Sequence, residues 1–192
     1  MFSREKDFLM ARNLFATRPQ IEVGAMIETP RAVDNARWIA NRANWLSIGL
    51  RDLTERTLGL NPRATGAAVV LDSCDPSVIR MVSAVVRAAE QASQEKGVVV
   101  PVSFCGVRAV ESQDKDSHDA AIIDAETFIL LIGLGVQDFS LDPRIAGNAN
   151  YILSKVDFSR AKTLADKILQ MPGGMPSKVR AMVRDSFPEA FS

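Results

Sequence analysis

Four side chains able to do chemistry fall where short apolar runs end. Glu28 closes "GAMI" and stands directly before a Thr-Pro break, Arg51 and Asp52 follow "WLSIGL", and Cys105 ends "VVVPVSF". In parallel α/β folds the loops at the C-terminal ends of the strands all open on one face, and chemistry collects there. Two acids, an arginine and a thiol therefore converge on one rim. Glu28 and Asp52 together could hold one hard cation such as Mg²⁺, leaving most of its coordination shell to water and an oxygen-rich substrate. Plainer readings stand beside this one. Asp52 could cap a helical turn over 52–56, Glu28 could pair with a nearby arginine, and Cys105 could be a small apolar filler. Spacing alone does not choose between them.

The elements that must position these residues alternate. "IEVGAMI" (21–27) reads as a buried strand, and "PRAVDNARWIANRA" (30–43) as a helix with Pro30 in its first turn. "WLSIG" (45–49) is a second strand, followed by an irregular stretch, "LRDLTERTLGLNPRATG". A long helix follows, with Asp75 as its N-cap, Pro76 at its first position and Gly97 closing it. "VVVPVSF" (98–104) is a third strand, and "ESQDKDSHD" (111–119) a polar surface loop that holds the only histidine, His118. "AAIIDAETFILLIGLG" reads as helical, with Gly133 or Gly135 as its C-cap rather than a phosphate loop. "VQDFSL" (136–141) is a fourth strand and "FSRAKTLADKILQM" (158–171) its helix. "PGGMP" (172–176) is a hinge before an amphipathic tail, so the division expected is 1–171 for the main unit and 172–192 for hinge and tail helix. Asp142 and Arg144 lie near the rim without an assigned role.

Alternating strands and helices imply a parallel α/β sheet, and continuous apolar strands suggest one covered on both faces. An eight-unit closed barrel takes about 250 residues. At 192 residues, four such units make half of one.

Composition narrows the function classes. With 47% apolar residues the chain can bury a core, and 23 basic against 23 acidic residues offer no field for nucleic acid or an anionic membrane. The most apolar stretch, "FILLIGLGV", is far shorter than the about 20 residues of a membrane span. The start, "MFSREKDFLMAR", lacks the apolar core of a signal peptide. Cys74 and Cys105 form neither a disulfide framework nor a zinc pattern. A soluble cytoplasmic protein is expected.

Several segments, in order, carry a resemblance: "GAMIETPRAV", "WLSIGLRDLTERTLGL", "DPSVIRMVSAVVRAA", "VSFCG" and "GLGVQDFSLDP". From about 21 to 170 the chain resembles the C-terminal phosphoenolpyruvate (PEP)-binding barrel of PEP-utilising enzymes: PEP synthase, pyruvate phosphate dikinase and Enzyme I of the sugar phosphotransferase system. "LTERTLGLN" and "SLDP" look closest to PEP synthase. The resemblance implies a TIM-type barrel, here its C-terminal half. Glu28 and Asp52 then fall on Mg²⁺ ligands, and Cys105 on the thiol that exchanges a proton with C3 of the enolate. Arg51, Arg63 and Gly106 fall on or near substrate-binding positions. A cation on the enolate oxygens and a thiol over the methylene face are what this chemistry needs.

There are departures. The family's Gly-Thr-Asn-Asp appears as Gly49-Leu50-Arg51-Asp52, so an arginine replaces the substrate-contacting Asn. It could bind phosphate, block the pocket or neutralise the acids by pairing with Glu28 or Asp52. Val107 follows "FCG" where Glu or Gln is usual, and Arg63 matches only across a shifted "NPRATG". The first half of the barrel, with the arginines that grip the phosphoryl group, and the domain bearing the phosphorylated histidine have no counterpart in this sequence. Three functions follow: PEP-dependent phosphoryl transfer with a partner or second copy completing the barrel, non-catalytic binding of PEP or pyruvate, or a Mg²⁺-dependent pyruvate-enolate aldolase. "FCG" and "TLGL" favour the first branch over the last.

Overall fold

A computed structural model describes residues 22–59, 72–105, 109–111 and 121–191. Four strands form one parallel sheet: β1 (Gly24–Ile27), β2 (Trp45–Gly49), β3 (Val102–Cys105) and β6 (Asp138–Ser140), in spatial order β1-β2-β3-β6. With every neighbour parallel, the strand ends bearing Ile27, Gly49, Cys105 and Ser140 share one edge of the sheet. A mixed α/β chain with a four-stranded parallel sheet is thus half of the barrel architecture expected.

Register divides the sheet into two chemically different faces. Ile27, Ile48, Phe104 and Phe139 stand abreast, as do Ala25, Leu46 and Val102. Ile27, Leu46, Ile48 and Phe104 are fully buried. This face lies in the core shared with the helices. The alternate residues are Met26, Ser47, Ser103 and Asp138 in one row, with Gly49, Cys105 and Ser140 in the next. Met26, Asp138 and Ser140 are exposed. Among the described residues helices cover one face, whereas the second carries Met26, two serines and an aspartate in one row and Gly49, Cys105 and Ser140 in the next, so the expectation of a sheet covered on both faces is not met by the described residues.

The helices follow from local signals. Thr29 caps α1 (Pro30–Asp34), accepting a hydrogen bond from the Ala32 amide at 3.0 Å, and α2 (Ala36–Ala40) continues it. The single helix expected over 30–43 is broken because the Asn35 side chain donates to the Arg31 carbonyl, a bond that competes with helix continuation. The stretch read as irregular after β2 begins with a real helix, α3 (Leu50–Thr57), burying Leu50, Leu53 and Thr54. Its ion pairs Arg51–Glu55 and Asp52–Arg56 sit at helical spacing.

The long helix α4 (Pro76–Lys96) is as expected: Asp75 accepts from the Ser77 amide, and Gly97 closes it at φ 66°. β3 starts later than the sequence suggests. Pro101 has no amide to give the ladder, although its carbonyl accepts from Leu46, and Val98 and Val99 are left exposed.

Around the expected polar loop the chain forms an antiparallel pair, β4 (Ala109–Glu111) with β5 (Ala121–Ile123). Residues 121–123 are therefore not helical: α5 (Ala125–Gly133) begins only at its cap Asp124. After β6 comes a short 3₁₀ turn (Pro143–Ile145) and a helix the sequence reading did not assign, α6 (Ala146–Lys155). α7 (Phe158–Leu169) packs along α5, and Gly133 is the point of closest approach, since a Cβ there would run into the Ala161 carbonyl. Gly133→Ala is expected to lower stability by about 2 kcal/mol, the usual cost of overpacking, measurable by urea unfolding. The tail is α8 (Pro176–Ser186), docked through Val179, Val183 and, just beyond its end, Phe187.

Candidate functional site

The site is built where β1 and β2 end. Glu28 follows β1 immediately, and the Thr29–Pro30 pair turns the chain straight into α1, so the carboxylate is left on the rim. Strand parity places Glu28 beside Gly49, and the packing agrees: a Cβ on Gly49 would lie 3.1 Å from Glu28 Cβ, 3.5 Å from Glu28 Oε2 and 3.3 Å from Met26 Sδ. Glycine at 49 keeps this space open. Among the described residues no hydrogen bond or ion pair engages the Glu28 carboxylate, so no described arginine pairs with it.

Asp52 lies three residues beyond Gly49, in the first turn of α3. It does not cap a turn over 52–56, because the helix already begins at Leu50 with Gly49 in the cap position and no side-chain cap bond. Its contact with Arg56 is long, 3.8 Å, and both side chains are half exposed, so the carboxylate is only loosely engaged. Arg51 does not pair with Glu28 or Asp52. It binds Glu55 at 3.2 Å with 72% of its side chain exposed. The idea that its guanidinium neutralises the two acids by an ion pair is therefore corrected.

Cys105 stands opposite Gly49 in the register, two strand spacings from Glu28, or about 10 Å between Cα atoms. Its thiol lies 3.6 Å from the Ile48 carbonyl and 3.9 Å from the Met26 thioether. Met26 thus reaches across β2 and floors the space between the acid and the thiol. Gly106, Arg63, Val107 and His118 lie outside the described residues.

The donor set suits a hard cation. Among the described residues no group of three His, Cys, Asp or Glu side chains could hold a metal. Glu28 beside Gly49 and Asp52 in the first turn of α3 offer oxygen donors, the donor type of an ion that keeps most of its shell for water and ligand oxygens, such as Mg²⁺.

Residues 3–158 match the family described as "PEP-utilising enzyme, PEP-binding domain". The chain belongs to that family. A Salmonella typhimurium "Phosphoenolpyruvate-dependent phosphotransferase system" protein is 29% identical over 165 residues, 86% of this chain and 19% of its own length. A Haemophilus influenzae "Phosphoenolpyruvate-protein phosphotransferase" is 30% identical over 152 residues, 79% of this chain and 23% of its own length. A Xanthomonas campestris "Multiphosphoryl transfer protein" is 31% identical over 152 residues, covering 16% of its length. The chain spans about a fifth of the length of these curated relatives.

In this member of the PEP-binding-domain family, two features escaped the sequence reading. The sequence reading gives Met26 no role beyond its strand and Gly49 only the strand end and first place in Gly49-Leu50-Arg51-Asp52, although the alternation around Ile27 and Ile48 already puts both on the face opposite the core. The other feature is an ionic cluster at the helix N-termini. Arg180 of α8 donates to both oxygens of Asp72 at 2.8 and 2.9 Å and to both oxygens of Asp124 at 2.9 Å. Glu126 lies 3.4 Å from Arg180 and also accepts from Arg184 Nε at 2.6 Å. The Gly174 amide adds a bond to Asp75, and Arg80 donates to the Met171 carbonyl. The expected hinge is thereby tied to the start of α4.

Cys74 sits beside this cluster, bonded to Thr127, and burial pushes its thiol up to about 12. It stays a neutral thiol and a poor nucleophile. Asp142 and Arg144 pair with each other at 2.6 Å, which lowers the Asp142 carboxyl to about 2. No described helix is long and apolar enough to cross a membrane.

Proposed function

We propose that the chain binds PEP and the enolate of pyruvate in a Mg²⁺-dependent manner, as half of a phosphotransferase barrel. The observation that carries this reading is the placement of Glu28 and Cys105 on either side of the open cradle at Gly49, in a chain of the PEP-binding-domain family. Glu28 and Asp52 would hold the cation, which when bound supplies positive charge to the carboxylate and enol oxygens.

The remaining roles belong to the chain's own residues. The uncapped start of α3 offers amides for an anionic group, and the exposed Arg51 beside it can turn toward a phosphoryl group. Cys105 gives its Sγ proton to C3 of the enolate, forming the methyl of pyruvate, and regains a proton from water. Phosphoryl transfer to a protein acceptor is inferred from the names of the relatives.

β1 and β6 are the outer strands of the sheet among the described residues. A partner or a second copy pairing with those edges would complete eight strands.

Proton exchange at the methyl of pyruvate in D₂O tests the reading. Mg²⁺-dependent exchange, lowered roughly 100-fold by Cys105→Ser in keeping with loss of a general acid, is expected. Exchange at full rate in that variant would remove Cys105 from the chemistry.

A further inference from the structure

We infer that Met26 and Cys105 together form a binding site for a soft, thiophilic metal cation of the Cu(I)/Ag(I) class, on the inner face of the sheet. Their sulfur atoms lie 3.9 Å apart although 79 residues separate them in the chain. One comes from β1 and the other from β3, so the fold itself brings them together across Gly49. Met26 is 49% exposed, and Cys105 is half-buried. Both donors are therefore open to solvent on this side.

The separation has the right size. With metal–sulfur bonds of about 2.3 Å, the length of a zinc–thiolate bond, a 3.9 Å gap sets an angle of about 115° at the metal, and the longer bonds of silver close it somewhat. A water can complete the shell at the third corner, since both sulfurs are open to solvent. Thioether and thiolate donors select Cu(I) and its congeners, whereas Mg²⁺ takes oxygen donors. The rim thus sorts cations by softness: hard ones to Glu28 and Asp52, soft ones to the two sulfurs.

Binding needs no redox step. A metal–sulfur bond forms at Cys105 as its thiol proton passes to water, and the Met26 thioether adds a lone pair. A soft cation so held takes the Cys105 thiol out of use. The inference stands on the two sulfurs and holds whether or not the chain binds PEP.

Silver(I), which is redox-inert here, is the probe. It is added to the full chain with excess Mg²⁺ and no substrate, and read by native mass spectrometry and by thiolate-to-metal absorption in the ultraviolet. One ion per chain is expected, unaffected by Cys74→Ala because that thiol is buried. Cys105→Ser should abolish binding. The volume-conserving Met26→Leu should weaken it at least tenfold, while Cys105 keeps its reactivity toward iodoacetamide. Silver bound with wild-type affinity in Met26→Leu, or retained in Cys105→Ser, would overturn the site.

Discussion

Arg180→Ala is expected to lower the unfolding free energy by about 3 kcal/mol, the low end of what removing one partner of a buried ion pair costs. One guanidinium makes four hydrogen bonds to Asp72 and Asp124. All three side chains are less than a quarter exposed. Without the arginine, two carboxylates face each other with little water, beside a third at Glu126. Urea unfolding at neutral pH measures the loss; a change below about 1 kcal/mol would place the cluster among ordinary surface pairs.

The same cluster has an acid signature. Burial pushes the Asp124 carboxyl up, but hydrogen bonds and charge from Arg180, with bonds from Thr127, outweigh it and hold the group below its usual value. As pH falls the unfolded chain therefore takes up this proton first. The contribution to stability is complete above the unfolded value of about 3.9 and is lost as pH drops through the lower folded value. The gap between wild type and Arg180→Ala should accordingly narrow below about pH 4.

Glu28→Gln is expected to leave the fold intact and to weaken Mg²⁺-dependent binding of oxalate, a mimic of the enolate, by roughly 100-fold or more, since losing even an outer-sphere group costs a metal site 10–100-fold. The two halves of this prediction have separate causes. Among the described residues no hydrogen bond or ion pair engages this carboxylate, so the amide costs within about 0.5 kcal/mol of stability. As one of two rim acids, however, it carries half of the negative charge offered to the cation. Asp52→Asn should act in the same direction, with its loose contact to Arg56 adding little.

Much of this was legible in the sequence, and the gaps have physical reasons. The ends of β1, β2 and β3 could be read because apolar runs stop at a Thr-Pro pair, at a glycine and at a thiol. Asp75 and Gly97 marked α4 because capping chemistry is local. α3 is hidden by the glycines, proline and threonine that follow it, although Arg51–Glu55 and Asp52–Arg56 stand four residues apart. The sequence reads β5 as the start of α5, since "AII" before a cap carries no periodicity of its own.

Long-range pairing was the least visible. Arg180 and Arg184 can be read as a basic stripe on the tail, but nothing local says that Asp72 and Asp124, 108 and 56 residues from Arg180, and Glu126, 58 residues from Arg184, are their partners. Met26 was hidden for the same reason: only the sheet register brings its sulfur to Cys105.

Calorimetric titration of oxalate into the folded chain, with and without Mg²⁺, tests the central claim that the rim at Gly49 is a cation-assisted enolate site. The account predicts saturable binding in Mg²⁺ that vanishes when the ion is chelated and weakens by roughly 100-fold or more in Glu28→Gln. Binding of equal strength without Mg²⁺, or unchanged in Glu28→Gln, would contradict it.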